Sequence, residues 1–188
     1  MRKSLVLAVA ALSTAGLGAL IPTAANAAGG STTATFTLTG NSTLAMSVPS
    51  SPVNLGSAAT GATSLSGSLG NVTVTDQRGA LPATWTASAV SSAFANTTTG
   101  GSSADETVAA GNVGYFAGVG TAQAGQVGLF VPQGTALTPV AIGSSTAIGA
   151  WTAGVGNDTV TWNPTITLTL RASQVAGTYS GTITHSVS

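Results

Sequence analysis

Alternation of apolar and polar residues is the feature that most constrains this chain. Near the C-terminus, for example, Ile166, Leu168 and Leu170 alternate with threonines. Successive side chains of a β-strand point to opposite faces, so this period of two is typical of half-buried strands. The segments that read as strands are 34–39, 44–48, 65–75, 84–90, 113–117, 127–131, 137–142, 160–162, 166–170 and 179–187. We therefore expect roughly eight to ten short strands.

The segments between these runs carry turn residues, and no window beyond the N-terminus has a helical 3.6-residue stripe. The pattern predicts an all-β fold, a single Greek-key or immunoglobulin-like β-sandwich. Gly177-Thr178-Tyr179 at a strand entry resembles the tyrosine corner of such sandwiches. Residues 76–82 have turn chemistry. Residues 97–112 begin with the sequence TTTGGSSADET and are predicted to form an exposed, mobile loop.

The N-terminus has the layout of a secretory signal peptide. Arg2 and Lys3 precede an apolar run over 5–21, and Ala25-Asn26-Ala27 supplies small residues at the positions that a signal peptidase reads. The alternative, a membrane anchor, is disfavoured because serine, threonine and glycine dilute the run. We predict cleavage after Ala27, a single secreted domain over residues 28–188, and no membrane span in the mature chain.

Charge is scarce, at 4% of the 188 residues. A nucleic-acid surface needs clustered lysines and arginines, which are absent beyond the leader, so we expect no nucleic-acid partner. A hydrophobic fraction of 43% predicts collapse rather than disorder. There is no cysteine, so burial of a core must hold the domain together. The charged residues beyond the leader are Asp76, Arg78, Asp105, Glu106, Asp158 and Arg171.

Catalytic patterns are missing. A Ser-His-Asp site needs a histidine beside its nucleophile, but His185 is the single histidine and no G-x-S-x-G elbow occurs. Asp105 and Glu106 are adjacent in a Gly/Ser-rich segment, which does not fix two carboxylates across one glycosidic bond. Zinc and EF-hand ligand spacings are also absent. We predict a protein that is not an enzyme and has no cofactor, no metal site and no catalytic residue.

Two segments carry a family resemblance. Residues 72–79 (VTVTDQRG), followed by Trp85-Thr86-Ala87, resemble the first motif of WxL-domain surface proteins, in which a V-x-V-x-D-x-R-G-like turn leads to Trp-x-Leu. Residues 176–184 (AGTYSGTIT) resemble the second motif, G-x-Y-x-G-x-I-x-W-x-L. Ala87 stands where that family has Leu, and His185-Ser186-Val187 stands where it has Trp-x-Leu. The chain resembles a divergent, actinobacterial-like branch of the family.

The resemblance implies a secreted cell-surface protein held non-covalently on the cell wall of a Gram-positive bacterium. Its implied partners are peptidoglycan or another wall glycan, together with other surface proteins. Residues at i and i+2 share a strand face, so Trp85 lies with Ala87 and His185 with Val187. The expected wall-binding residues, by this route, are Trp85, Ala87, Tyr179, His185 and Val187.

Other interpretations stay open. The same residues can serve as core packing, which is the usual role of large aromatic side chains. Trp162, in phase with Val160, is predicted to lie in the core, whereas Trp151, among glycines and alanines, is predicted to be exposed. An alternative function is a self-assembling or adhesive structural subunit, because an uncharged, threonine-rich strand edge permits strand-to-strand association.

Overall fold

The computed structural model describes residues 32–50 and 52–188. Of the described residues, 32–37 and 38–188 fall in separate units, and every strand lies in the second unit. That unit is almost entirely antiparallel β-structure, as predicted. The predicted leader over 1–27, with its cleavage site at Ala27, lies outside the described residues. No helix in the described ranges is long and apolar enough to cross a membrane.

Thirteen strands are present in the described part of the chain, with single turns of 3-10 helix at Ala104–Glu106 and Ala110–Asn112. The strands are β1 (Leu44–Ser47), β2 (Ser64–Ser68), β3 (Val72–Ser91), β4 (Phe94–Asn96), β5 (Thr107–Val108), β6 (Val113–Phe116), β7 (Thr121–Ala122), β8 (Val127–Pro132), β9 (Val140–Ala141), β10 (Thr146–Trp162), β11 (Thr165–Thr169), β12 (Tyr179–Ser180) and β13 (Ile183–Val187).

The two longest strands, β3 and β10, pair along most of their length and form the centre of a six-stranded sheet. On its other side β3 pairs with β1 through its N-terminal half and with β13 through its C-terminal half. The free side of β10 pairs with β8 and β7. The sheet therefore has β1 and β13 at one edge and β7 and β8 at the opposite edge.

A four-stranded sheet, in the order β2-β11-β6-β9, packs against the first sheet, and a small sheet β12-β4-β5 adjoins them. Buried residues of all three sheets form one hydrophobic cluster, and a hydrogen bond from Trp162 on β10 to Tyr115 on β6 joins the two larger sheets. This arrangement is a β-sandwich with one core. The Greek-key and immunoglobulin-like connectivity stays a prediction.

Three local predictions differ from the structure. Residues 76–82, predicted as a turn, lie inside β3, where register shifts against β10 accommodate them as irregular strand. Residues 34–39, predicted as a strand, have no strand pairing. Within 97–112, predicted as an exposed loop, β5 pairs with β4 and the Val108 side chain is buried, so this segment contributes to the core.

Candidate functional site

The expected wall-binding surface does not form at Trp85 and Ala87. The two residues share a face of β3, as predicted, but that face is turned into the sandwich, and they are 3% and 0% exposed. A glycan outside the protein cannot contact them. The prediction was wrong for these two residues because the alternation identifies which residues share a face and leaves open whether that face is inside.

Stacked aromatic rings fill the space between the sheets. Trp85 lies opposite Trp151 across the β3–β10 pair, with ring centroids 6.3 Å apart and planes inclined by 13°. Trp85 also stacks on Trp162 at 6.2 Å, and Phe130 stacks on Trp162 at 4.9 Å. Trp162 is buried, as predicted. Stacked pairs of this kind add to the free energy of burying the rings.

Trp151 was predicted to be exposed, and this was wrong, because its side chain is 2% exposed. The glycines near it in the sequence were interpreted as open surface. In the structure Gly128 and Gly154 lie against the Trp151 ring, where a Cβ on either would collide with the indole. The small residues therefore make room for the ring and do not uncover it.

His185 belongs to a buried hydrogen-bonded chain. The Trp162 indole N–H donates to the Tyr115 hydroxyl at 3.0 Å, and that hydroxyl lies 3.2 Å from His185 Nε2. Because its oxygen already accepts from Trp162, the phenol can donate its proton to Nε2, which requires neutral imidazole protonated at Nδ1. Burial lowers the pKa of His185 to about 4 and raises that of Tyr115. These hydrogen bonds hold β13 and β10 to β6, while His185 Nδ1 is buried and has no hydrogen-bond partner within the protein.

The D-x-R motif forms an ion pair in which the Asp76 carboxylate is buried and the Arg78 side chain is 34% exposed. The Oδ1 atom of Asp76 accepts hydrogen bonds from the backbone N–H and the Nε of Arg78, and its Oδ2 atom accepts from Nη2 at 2.7 Å. The same Nη2 also donates to the Thr84 carbonyl. These hydrogen bonds from Arg78 lower the pKa of Asp76. Arg78 thus bridges Asp76 and Thr84 within the irregular part of β3, so the role of the motif is structural.

Asp158 lies directly opposite Asp76 in the β3–β10 register. Its Oδ1 accepts from the Trp85 indole at 3.0 Å, while its Oδ2 and the nearby Trp151 Nε1 have no hydrogen-bond partner within the protein. Burial raises the pKa of Asp158, against the effect of the Trp85 hydrogen bond, and the Asp76 carboxylate raises it further. Two buried carboxylates therefore sit across one strand pair, and Asp76, not Asp158, accepts the hydrogen bonds of Arg78.

Tyr179 and Val187 are half-buried, and neither presents an open ring or patch. The Tyr179 hydroxyl donates to the Val175 carbonyl four residues earlier, at 2.6 Å, as in a tyrosine corner. Residues 176–181 around it and residues 52–62 line a groove of about 660 Å³. The second motif is thus the only part of the predicted wall-binding set that borders a cavity of this size among the described residues.

An exposed apolar stripe follows the edge strand β8. Val127, Leu129 and Val131 point away from the core, with exposed fractions of 60%, 62% and 37%. Val155 on β10, paired with Val127, is 48% exposed. Phe130, between them, points inward. We call Val127, Leu129, Val131 and Val155 the β8 stripe; it contains no charged residue.

The free edge of β8 also offers backbone hydrogen-bonding groups. The Gln133 N–H donates to the Ile148 carbonyl at 3.0 Å, which fixes the pairing phase with β10. Hydrogen-bonded and non-hydrogen-bonded pairs alternate in an antiparallel ladder. The N–H and C=O groups of Gly128 and Phe130 therefore face away from β10. No strand of the described residues pairs with them.

Comparisons with protein-family models, curated proteins and solved structures find no match. Within the described ranges no group of three or more His, Asp or Glu side chains lies close enough to hold a metal ion.

The β8 stripe was not predicted as a surface. The sequence does carry a signal for it. In the short segment Val127 to Val131 apolar residues occupy both faces of the strand, which indicates that one apolar face must point outward.

The two opposed carboxylates should respond differently to amidation. Asp76→Asn removes the charge that pairs with Arg78 and should lower the free energy of unfolding by about 1–3 kcal/mol. Asp158→Asn keeps an acceptor for the Trp85 indole and removes a buried, like-charged neighbour, so stability should be unchanged or higher. Urea unfolding at pH 7 measures both. A loss in Asp158→Asn as large as that in Asp76→Asn would contradict this account of Asp158.

His185 should make the fold sensitive to acid. Its pKa is about 4 in the fold and near 6.5 when unfolded, so the unfolded chain binds the proton first. The stability from neutral His185 is complete above about pH 6.5 and is lost as pH falls towards 4. The melting temperature should fall over this window more steeply in the wild type than in His185→Gln, which does not titrate. Parallel curves for the two proteins would rule out the buried neutral histidine.

Proposed function

We propose that this protein is a non-enzymatic structural subunit of the cell exterior that self-assembles through the β8 edge. The observation that carries the proposal is the β8 stripe, an exposed apolar row on an edge strand whose backbone groups lack partners among the described residues. Location outside the cell rests on the leader-like N-terminus. Contact between copies, in place of chemistry, is the activity that this surface supports.

The stripe differs from the edges that monomeric proteins usually present. An exposed strand edge is a template for pairing with another chain, and monomers protect it with lysines, prolines or a covering loop. In β8 the one such feature is Pro132 at the strand's end, and the exposed side chains are aliphatic. Uncharged aliphatic side chains neither repel a second copy nor need desolvation of ionic groups when they are covered.

A second candidate function is retention on a wall glycan, as the resemblance to WxL-domain proteins implies. The groove favours it, because residues of the second motif, 176–181, line it. Residues 52–62 also line the groove and include Val53, which is 38% exposed. Under this candidate the glycan lies in the groove and does not contact the buried Trp85.

Self-assembly should depend on the β8 stripe. The double variant Leu129→Thr/Val131→Thr places β-branched threonines on the strand but removes apolar surface, and should weaken association about tenfold or more. Sedimentation velocity over a concentration series measures this. Leu137→Thr, at a position 94% exposed in a loop, is the matched control and should behave as wild type. A wild-type protein that stays monomeric at every concentration, or a double variant that associates equally well, would overturn the proposal.

Wall retention is tested by co-sedimentation with purified peptidoglycan, with a sample lacking peptidoglycan to correct for self-association. If the groove holds the glycan, Val53→Asp should reduce the bound fraction severalfold, because the carboxylate introduces charge and desolvation cost where the glycan packs. Val127→Asp, outside the groove, should bind as wild type. No wild-type binding, or equal loss in both variants, would count against the groove.

A further inference from the structure

The segment of residues 33–39 has the sequence of a strand without a strand partner. Phe36 and Leu38 alternate with Thr35, Thr37 and Thr39, the pattern of a half-buried strand. In the structure residues 32–42 form no strand, and Phe36 and Leu38 are 85% and 87% exposed. Large apolar side chains repeated on one side of an extended segment usually have a surface to cover.

The β8 edge has the complementary features. Gly128 and Phe130 direct N–H and C=O groups outward, which is what an added strand requires. The aliphatic side chains of the β8 stripe would lie beside those of the added strand, in cross-strand pairs of aromatic with β-branched residues. Neither segment carries a charged residue, so no charge repulsion opposes their approach.

A chain cannot place this segment on its own β8. The Asn41 N–H donates to the Gln77 carbonyl at 2.8 Å, which holds the start of the domain against β3 at the β1 edge. A strand added to β8 would lie beyond the opposite edge of the same sheet, across β3, β10 and β8. At about 4.8 Å per strand spacing this is roughly 19 Å from the β1 edge. Only Gly40 lies between Thr39 and Asn41, so Thr39 can be only about 7 Å from Asn41.

We infer that residues 33–39 of one copy add as a strand to β8 of a second copy. This inference rests on the proposed function and specifies its contact. The donor segment leaves one edge of the sheet and the acceptor strand lies at the other, so each copy can both give and receive. Such a head-to-tail contact leaves a free donor and a free acceptor at the ends and builds open chains of subunits.

Two single variants separate the donor from the acceptor. Thr37→Pro removes a backbone N–H and disfavours strand pairing in the donor, while Thr37→Ala keeps the N–H as a control. Leu129→Lys places a charge on the acceptor at a position 62% exposed. Both positions lie outside the core, and circular dichroism verifies that each variant is folded.

Sedimentation velocity and mass photometry then follow each variant alone and in an equimolar mixture. Thr37→Pro and Leu129→Lys should each stay monomeric, whereas Thr37→Ala and the wild type form larger species as concentration rises. The mixture should give one-to-one heterodimers that grow no further, because only one donor and one acceptor remain functional. Association of Thr37→Pro like wild type would overturn the donor inference while the β8 function stands, as in symmetric β8–β8 pairing. Failure of the mixture to form heterodimers would overturn it too.

Discussion

The pairing of β3 with β10 is the interaction on which the rest of the structure depends. It sets Trp85 opposite Trp151 and Val74 opposite Val160, so large side chains from neighbouring strands meet on one face. That face, closed by β6 and β11 of the second sheet, holds most of the buried residues. A chain without disulfides needs a core of this kind, since hydrophobic burial is its main source of stability. The remaining strands attach to the outer sides of these two.

Hydrogen bonds between polar side chains inside this core join its strands. Tyr115 accepts from Trp162 and lies within hydrogen-bonding distance of His185, so one hydroxyl joins β6, β10 and β13. Asp158 accepts from Trp85 in the same layer. A buried polar group costs free energy unless it is paired, and these hydrogen bonds reduce that cost, while Trp151 Nε1, Asp158 Oδ2 and His185 Nδ1 have no partner within the protein. The aromatic residues that suggested sugar binding are thus part of the framework.

How far the sequence predicts this structure depends on what periodicity can report. It identified the strands around Ile166 and Leu168, and it placed Trp85 with Ala87 on one face, because the alternation is a local property. It did not show that this face is inside, nor that Gly128 and Gly154 cover Trp151, because these depend on partners distant in the chain. It also divided the long β3 at residues 76–82, since Asp, Gly and Pro usually mark turns. There the Asp76–Arg78 ion pair stabilises the irregular strand.

The scarcity of charged residues affects both the core and the β8 edge. Of the few ionisable groups in the described domain, Asp76, Arg78 and Asp158 are engaged at the β3–β10 pair, and Asp105 accepts from Ser173 near the groove. β8 itself carries no charged residue, although a single lysine on an edge strand is a common protection against pairing. Threonine and serine hydroxyls keep such a surface hydrated without opposing contact with a second copy. A domain with this composition is therefore suited to association between copies. The free-energy cost of desolvation is lowest at β8, the strand that exposes aliphatic side chains.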